Sequence, residues 1–271
     1  MRARRPMRGT GAALAIALSG LGLALLAGCA AVAPLTNEVR TASDLTDAER
    51  RAQVRLELAS LYFGRGQHTT ALDEVKLALA AQPDLPAAFS LRGLIYTSLG
   101  EPRLAEESFR RGLQLAPRDA DAMHNYGWFL CQQQRFGEAD AQFGRALEQP
   151  QYRDASRTLL VQGVCQARAG RLPEAERVLS RAYELEPGNP GIAFNLSEVL
   201  LKRGDFERAR FYIRRVNSRA EHSNAQTLWL AARIEHRNGN AAGAQDWGQQ
   251  LRDRFPNSTE ALQYERRRFD D

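Results

Sequence analysis

An all-α fold, a right-handed α-solenoid of stacked helical hairpins, follows from three observations in this 271-residue chain. Ala71, Ala105, Ala139, Ala175, Ala209 and Ala244 recur at intervals of 34, 34, 36, 34 and 35 residues. The same alternation of small and large residues returns around each of them. The longest gap between copies is the two-residue step Asp154-Ala155, which leaves no room for an inserted domain. A period near 34 accommodates one helix–turn–helix unit, and stacked units share a continuous core.

Taken in order, the elements begin with a targeting segment. Arg2, Arg4, Arg5 and Arg8 precede an uncharged, Ala- and Leu-rich run from Gly9 to Gly28. That is the pattern of a secretory signal, assigned to residues 1–28. It ends in Leu26-Ala27-Gly28-Cys29, which resembles a bacterial lipobox. The resemblance implies diacylation of the Cys29 thiol, cleavage before it, and anchoring by several acyl chains at about 0.8 kcal/mol per buried methylene. The alternative is an ordinary signal peptide with a coincidental cysteine. Ala30, not Asp, follows the cysteine, which by resemblance to sorted lipoproteins implies delivery to the outer membrane. Residues 29–45 then read as the lipidated cysteine and a flexible, proline-containing tether. Its reach is at most about 55 Å.

The solenoid spans residues 46–268. Thr46-Asp47-Ala48-Glu49 is a capping box that opens the first helix. Copy two, residues 86–119, shows the unit most cleanly. Gly93 and Ala105 keep two helices close at their crossing, Tyr96, Phe109 and Leu113 fill the space between them, Gly100 opens the turn and Pro117 ends the second helix. The other copies, about 52–85, 120–153, 156–189, 190–223 and 225–258, repeat this with substitutions. Copy five lacks the closing proline. The chain thus resembles tetratricopeptide-repeat proteins over residues 52–258. Asn257-Ser258-Thr259-Glu260 starts a further helix, expected over 259 to about 268, that covers the open end of the last repeat.

Charge excludes one class of partner. The precursor carries 37 basic and 32 acidic side chains, a net +5, but four arginines and no acid lie in residues 1–28. The mature chain is near neutral, so nucleic acid is not implied. The run Arg266-Arg267-Arg268 is followed by Asp270 and Asp271 and reads as a solvated helix end. The phosphate loop, nucleophile elbow and His-Glu-x-x-His motifs are absent, so neither an enzyme nor a cofactor is expected. His68, His124, His222 and His236 lack metal-ligand spacing, and no metal site is expected. Cys131 and Cys165 fall on first helices that neighbour one another in a solenoid. They form either a disulfide or two buried thiols.

First helices line the concave groove of such solenoids, with repeat positions 2, 5, 9 and 12 facing inward. This places Phe63, Leu94, Trp128 and Val164 in one apolar stripe across four copies, a candidate partner-binding groove. The same rule brings Ser90, Asp121, His124, Cys131, Phe194, Glu198, Trp229, Arg233 and His236 to the groove. The alternative is that these side chains pack against adjacent helices. The Lys/Asn/Lys/Arg set that clamps a C-terminal carboxylate in some of these proteins is missing.

Lipobox, six repeats, the run His124-Asn125-Tyr126-Gly127-Trp128-Phe129-Leu130-Cys131 and the ending Arg252-Asp253-Arg254-Phe255-Pro256-Asn257-Ser258 together resemble the type IV pilus biogenesis/stability lipoproteins of the PilF/PilW family. The resemblance covers nearly the whole chain. It implies a non-enzymatic, outer-membrane lipid-anchored pilotin, with the solenoid facing the periplasm, that binds the pilus secretin and promotes its multimerisation. The other reading is an outer-membrane adaptor that docks cell-wall hydrolases or aids outer-membrane protein assembly.

Overall fold

A computed structural model of the chain describes residues 45–269. The expected signal, the expected lipobox with Cys29 and the expected tether fall, up to residue 44, outside the described residues, as do Asp270 and Asp271. The described residues form thirteen α-helices and no strand. Six consecutive pairs make the six copies: α1 (Asp47–Gly64) with α2 (His68–Ala81), α3 (Pro86–Ser98) with α4 (Pro102–Leu115), and α5 (Ala120–Gln132) with α6 (Phe136–Leu147). They continue as α7 (Ala155–Arg168) with α8 (Leu172–Leu185), α9 (Pro190–Arg203) with α10 (Phe206–Asn217), and α11 (Ala225–Arg237) with α12 (Ala241–Arg254). The last helix, α13 (Thr259–Glu265), packs on α11 and α12. It is shorter than the expected 259–268.

The helix starts are explained by their caps. Thr46 and Glu49 form the reciprocal capping box at α1. Asp119 caps α5 by accepting from the Ala122 N–H, Asn189 caps α9 ahead of Pro190, and Ser258 caps α13. Each first helix then ends on one left-handed residue that reverses the chain into the second helix. Gly66, Gly100, Gly170, Gly204 and Gly239 hold this place with φ between 73° and 81°. Copy three has Gln134 there, at φ 59°. The hydrogen bonds Gln134 N–H to the Cys131 carbonyl and Arg135 N–H to the Leu130 carbonyl close its turn as in the other copies.

Within each pair, a small residue on the first helix meets a larger one on the second. A Cβ built on Gly93 would lie 2.7 Å from the Phe109 ring, one on Gly127 2.7 Å from Phe143, and one on Gly163 2.5 Å from Leu179. These contacts are too close for any side chain, so glycine is required where the partner is bulky. Copy one uses Ala59 with Val75, and copy five uses Ser197, whose hydroxyl donates to the Ala209 carbonyl at 3.1 Å. In copy six the first helix again has a small residue, Ala232, but the second helix has Gly248, and Tyr264 of α13 closes over it. The buried side chains form clusters, most of which run on from one copy to the next.

Candidate functional site

First helices of successive copies lie against one another, α1 on α3, α3 on α5, α5 on α7, α7 on α9 and α9 on α11. They form a continuous surface, and polar contacts tie its floor together. Asn125 donates to the Ser90 hydroxyl at 3.3 Å. His124 Nδ1 lies 2.8 Å from the Thr158 hydroxyl, which also meets the Tyr152 hydroxyl at 2.6 Å. His124 is only 3 % exposed, and burial, with Arg157 nearby, lowers its pKa to about 4. The imidazole is therefore neutral at pH 7, held between copies three and four.

Phe63, Leu94, Trp128 and Val164 are all half-buried. Phe63 packs on the cluster of copies one and two, with its ring 5.4 Å from that of His68. Leu94 and Trp128 share the next cluster, behind which lie Phe109, Phe129 and Phe143. Phe63, Leu94 and Trp128 each keep part of their surface open and rest the remainder on buried core side chains, while Val164 is half-buried beside them in register. That suits an apolar stripe to holding the side chains of another chain. Cys131 and Cys165 join in a disulfide across α5 and α7, with Cα atoms 5.9 Å apart and both residues fully buried. The bridge ties together the two helices that carry Trp128 and Val164.

The positional rule fails at four other residues. Ser90, His124 and Cys131 are buried between neighbouring first helices instead of opening into the groove. Trp229 is 7 % exposed because Tyr264 and Phe269, from the end of the chain, cover it. In copies five and six, Phe194, Glu198, Trp229 and Arg233 instead line a depression of about 330 Å³ with Glu260 and Gln263 of α13. Burial pushes the Glu198 carboxyl above the ordinary carboxylate range, opposed by Lys202 and Arg233.

One set of residues had no signal in the repeat pattern. Charged pairs link copy two to three, three to four, four to five and five to six. Arg135 reaches Glu106 at 2.7 Å, Arg171 reaches Asp140 at 2.6 Å, and Arg208 reaches Glu176 at 2.6 Å. In the last step the polarity inverts, and buried Glu235 takes Arg210 at 3.1 Å and Arg214 at 2.7 Å. The Arg135 guanidinium holds the Glu106 carboxyl below the usual range. The first three pairs are partly exposed and contribute about 0–1 kcal/mol each. Among the described residues no group of His, Cys, Asp or Glu gathers as a metal ion would require, and no helix is long and apolar enough to cross a membrane.

Known proteins share this arrangement. Tetratricopeptide-repeat family patterns match residues 90–140, 130–190 and 166–228. The chain is similar to a crystal structure of PilW, described as a widely conserved type IV pilus biogenesis factor. The identity is 31 % and the TM-score 0.73, over 79 % of this chain and 97 % of that one. It is also similar to the type IV pilus assembly protein PilF of Pseudomonas aeruginosa, 26 % identical over 219 residues, 81 % of this chain and 86 % of the relative. A solved structure of Pseudomonas aeruginosa PilF superposes with a TM-score of 0.70 at 24 % identity, over 82 % of this chain and all of that one, and supports the fold.

Proposed function

The chain belongs to the PilF/PilW family of tetratricopeptide-repeat type IV pilus assembly proteins, and on that premise we propose that it is a pilotin. In this reading Cys29 carries the lipid that holds the chain at the periplasmic face of the outer membrane. The scaffold has no enzymatic step. It binds a segment of the pilus secretin and promotes assembly of secretin subunits into the ring.

The observation that supports the reading is that Phe63, Leu94, Trp128 and Val164 are each half-buried, the first three packed on core clusters, which suits the apolar stripe that register assigns them to. Aromatic and aliphatic side chains already fixed by packing bind with little further entropy cost, so they serve as anchor points. The disulfide between Cys131 and Cys165 fits an oxidising compartment beyond the inner membrane. Near-neutral charge of the mature chain fits a protein partner better than nucleic acid.

Deleting the gene tests this. The pilotin reading expects secretin monomers to persist, heat-resistant multimers to fall and surface pili to disappear. Restoring the chain with Cys29→Ser should return neither multimers nor pili to normal, since serine offers no thiol for the lipid. Normal multimers in the deletion strain would remove the pilotin role. The adaptor role would then lead, and copurification with cell-wall hydrolases would identify it.

A further inference from the structure

The groove-facing side of α11 in copy six already holds a piece of polypeptide. After α13, Arg267 adopts φ 54°, and its N–H bonds the Tyr264 carbonyl while the Arg268 N–H bonds the Gln263 carbonyl. This left-handed turn sends the chain back across α11. Phe269 then stacks on His236 with ring centroids 4.1 Å apart and planes at 18°. Its ring also meets Trp229 at 5.3 Å and stands edge-on to Tyr264 at 5.8 Å. Arg233 Nε donates to the Phe269 backbone carbonyl at 3.0 Å.

We infer that this surface is a peptide subsite for an aromatic residue, and that the chain's own Phe269 occupies it in the free protein. The contact has the two parts that peptide recognition needs. Three aromatic side chains fix a planar ring, and a guanidinium N–H takes a main-chain carbonyl, which every residue offers. The adjoining depression by Phe194 and Glu198 stays open, so the groove continues beyond the residue already seated. Tethering holds the tail at an effective concentration of the order of millimolar. A partner segment must therefore displace it through added contacts in that adjoining depression. Access to copy six is thus gated by the segment that follows α13. The inference stands apart from the apolar stripe of copies one to four and does not depend on the pilotin reading.

The test titrates an acetylated peptide of residues 266–271, Arg-Arg-Arg-Phe-Asp-Asp, into two full-length mature chains, wild type and Phe269→Ala, followed by amide NMR shifts. The emptied subsite of Phe269→Ala should bind the peptide at least tenfold more tightly than wild type. The shifts should centre on Trp229, Arg233 and His236. The same peptide with alanine in place of phenylalanine should not bind either chain. Equal affinity for both chains would overturn the inference. So would binding of the alanine peptide, which would reduce the contact to charge, or no binding to a folded Phe269→Ala chain. If the alanine chain loses its helical circular dichroism, Phe269→Leu takes its place. Leucine keeps bulk over Trp229 but cannot stack on His236, and the same outcomes decide.

Discussion

Trp128 and Trp229 sit on the first helices of copies three and six, both at positions expected to face the groove, and their surroundings differ. Trp128 rests one side on the core formed by Phe109, Phe129 and Phe143 and leaves the other open. Trp229 is covered by Tyr264 and Phe269. Repeat register places a side chain on a face of the solenoid. Whether that face is a binding surface or core depends on the segment that comes next along the chain. In copies one to four that segment is another repeat, whose first helix packs alongside, so the stripe stays open. In copy six a short helix and a left-handed turn fold back and close it.

Replacing each tryptophan should break the symmetry of register most visibly. Trp229→Ala removes a buried aromatic from the terminal cluster and should cost about 3–5 kcal/mol. Trp128→Ala removes a half-exposed one and should cost about 1–2 kcal/mol. Urea unfolding of both variants decides. Equal losses would mean that Trp128 is core and that the stripe is not open.

The floor under the open stripe is reinforced, and two measurements sharpen that point. The Cys131–Cys165 bridge joins residues separated by 34 positions. By loop entropy it contributes about 3–4 kcal/mol. Reduction, or the paired change to serine, should lower the unfolding free energy by about that amount, and mass spectrometry of nonreduced protein should find no alkylatable thiol in the mature domain. Two free thiols would leave only packing to hold α5 and α7.

His124 reports on the same floor through pH. Its folded pKa, about 4, lies below the ordinary 6.5, so folding favours the neutral ring. The stability this contributes is fully present above about pH 6.5. It is lost as pH falls toward 4, up to about 3 kcal/mol. Glu106 and other paired carboxylates lose stability in part of the same range. The comparison is therefore between wild type and His124→Gln at pH 7 and pH 4.5, where the variant should lose about 2–3 kcal/mol less. Identical pH dependence would mean that the ring is charged or solvated in the fold.

The smallest expected effect concerns the one irregular turn. Gln134→Gly should raise stability by about 0.5–1 kcal/mol, because glycine takes φ 59° without the Cβ clash. A destabilised variant would show that the Gln134 side chain has a role in copy three that the glycines elsewhere lack.

Much of this architecture is legible in the sequence because sterics repeat. Gly93, Gly127 and Gly163 mark crossings that admit no Cβ, and such a requirement recurs at the repeat period. Ser258 is legible as a helix start because a cap is a local hydrogen bond. The groove is legible only in part. Position numbers give the direction of a side chain but not the distance to the next helix, so Ser90, His124 and Cys131 point toward a groove by register and lie between helices in fact. The charged links Glu106–Arg135, Asp140–Arg171 and Glu176–Arg208 join residues far apart in the chain, where either partner alone looks like an ordinary solvated charge. Phe269 is hidden by its neighbours. The arginine run reads as a solvated end, and only the backbone turn at Arg267 reveals that the chain returns.

The central claim, that the open stripe of copies one to four is the partner-binding surface, is tested most directly by affinity. The measurement is binding of purified secretin periplasmic domain to the mature chain, wild type against the Phe63→Ala, Trp128→Ala pair, with matched circular dichroism. If both aromatics act as anchors worth about 2 kcal/mol or more each, each single change should weaken binding by roughly thirtyfold and the pair by roughly several hundredfold. Heat-resistant multimers in cells should fall with it. Unchanged affinity and normal multimers with both rings removed would contradict the account.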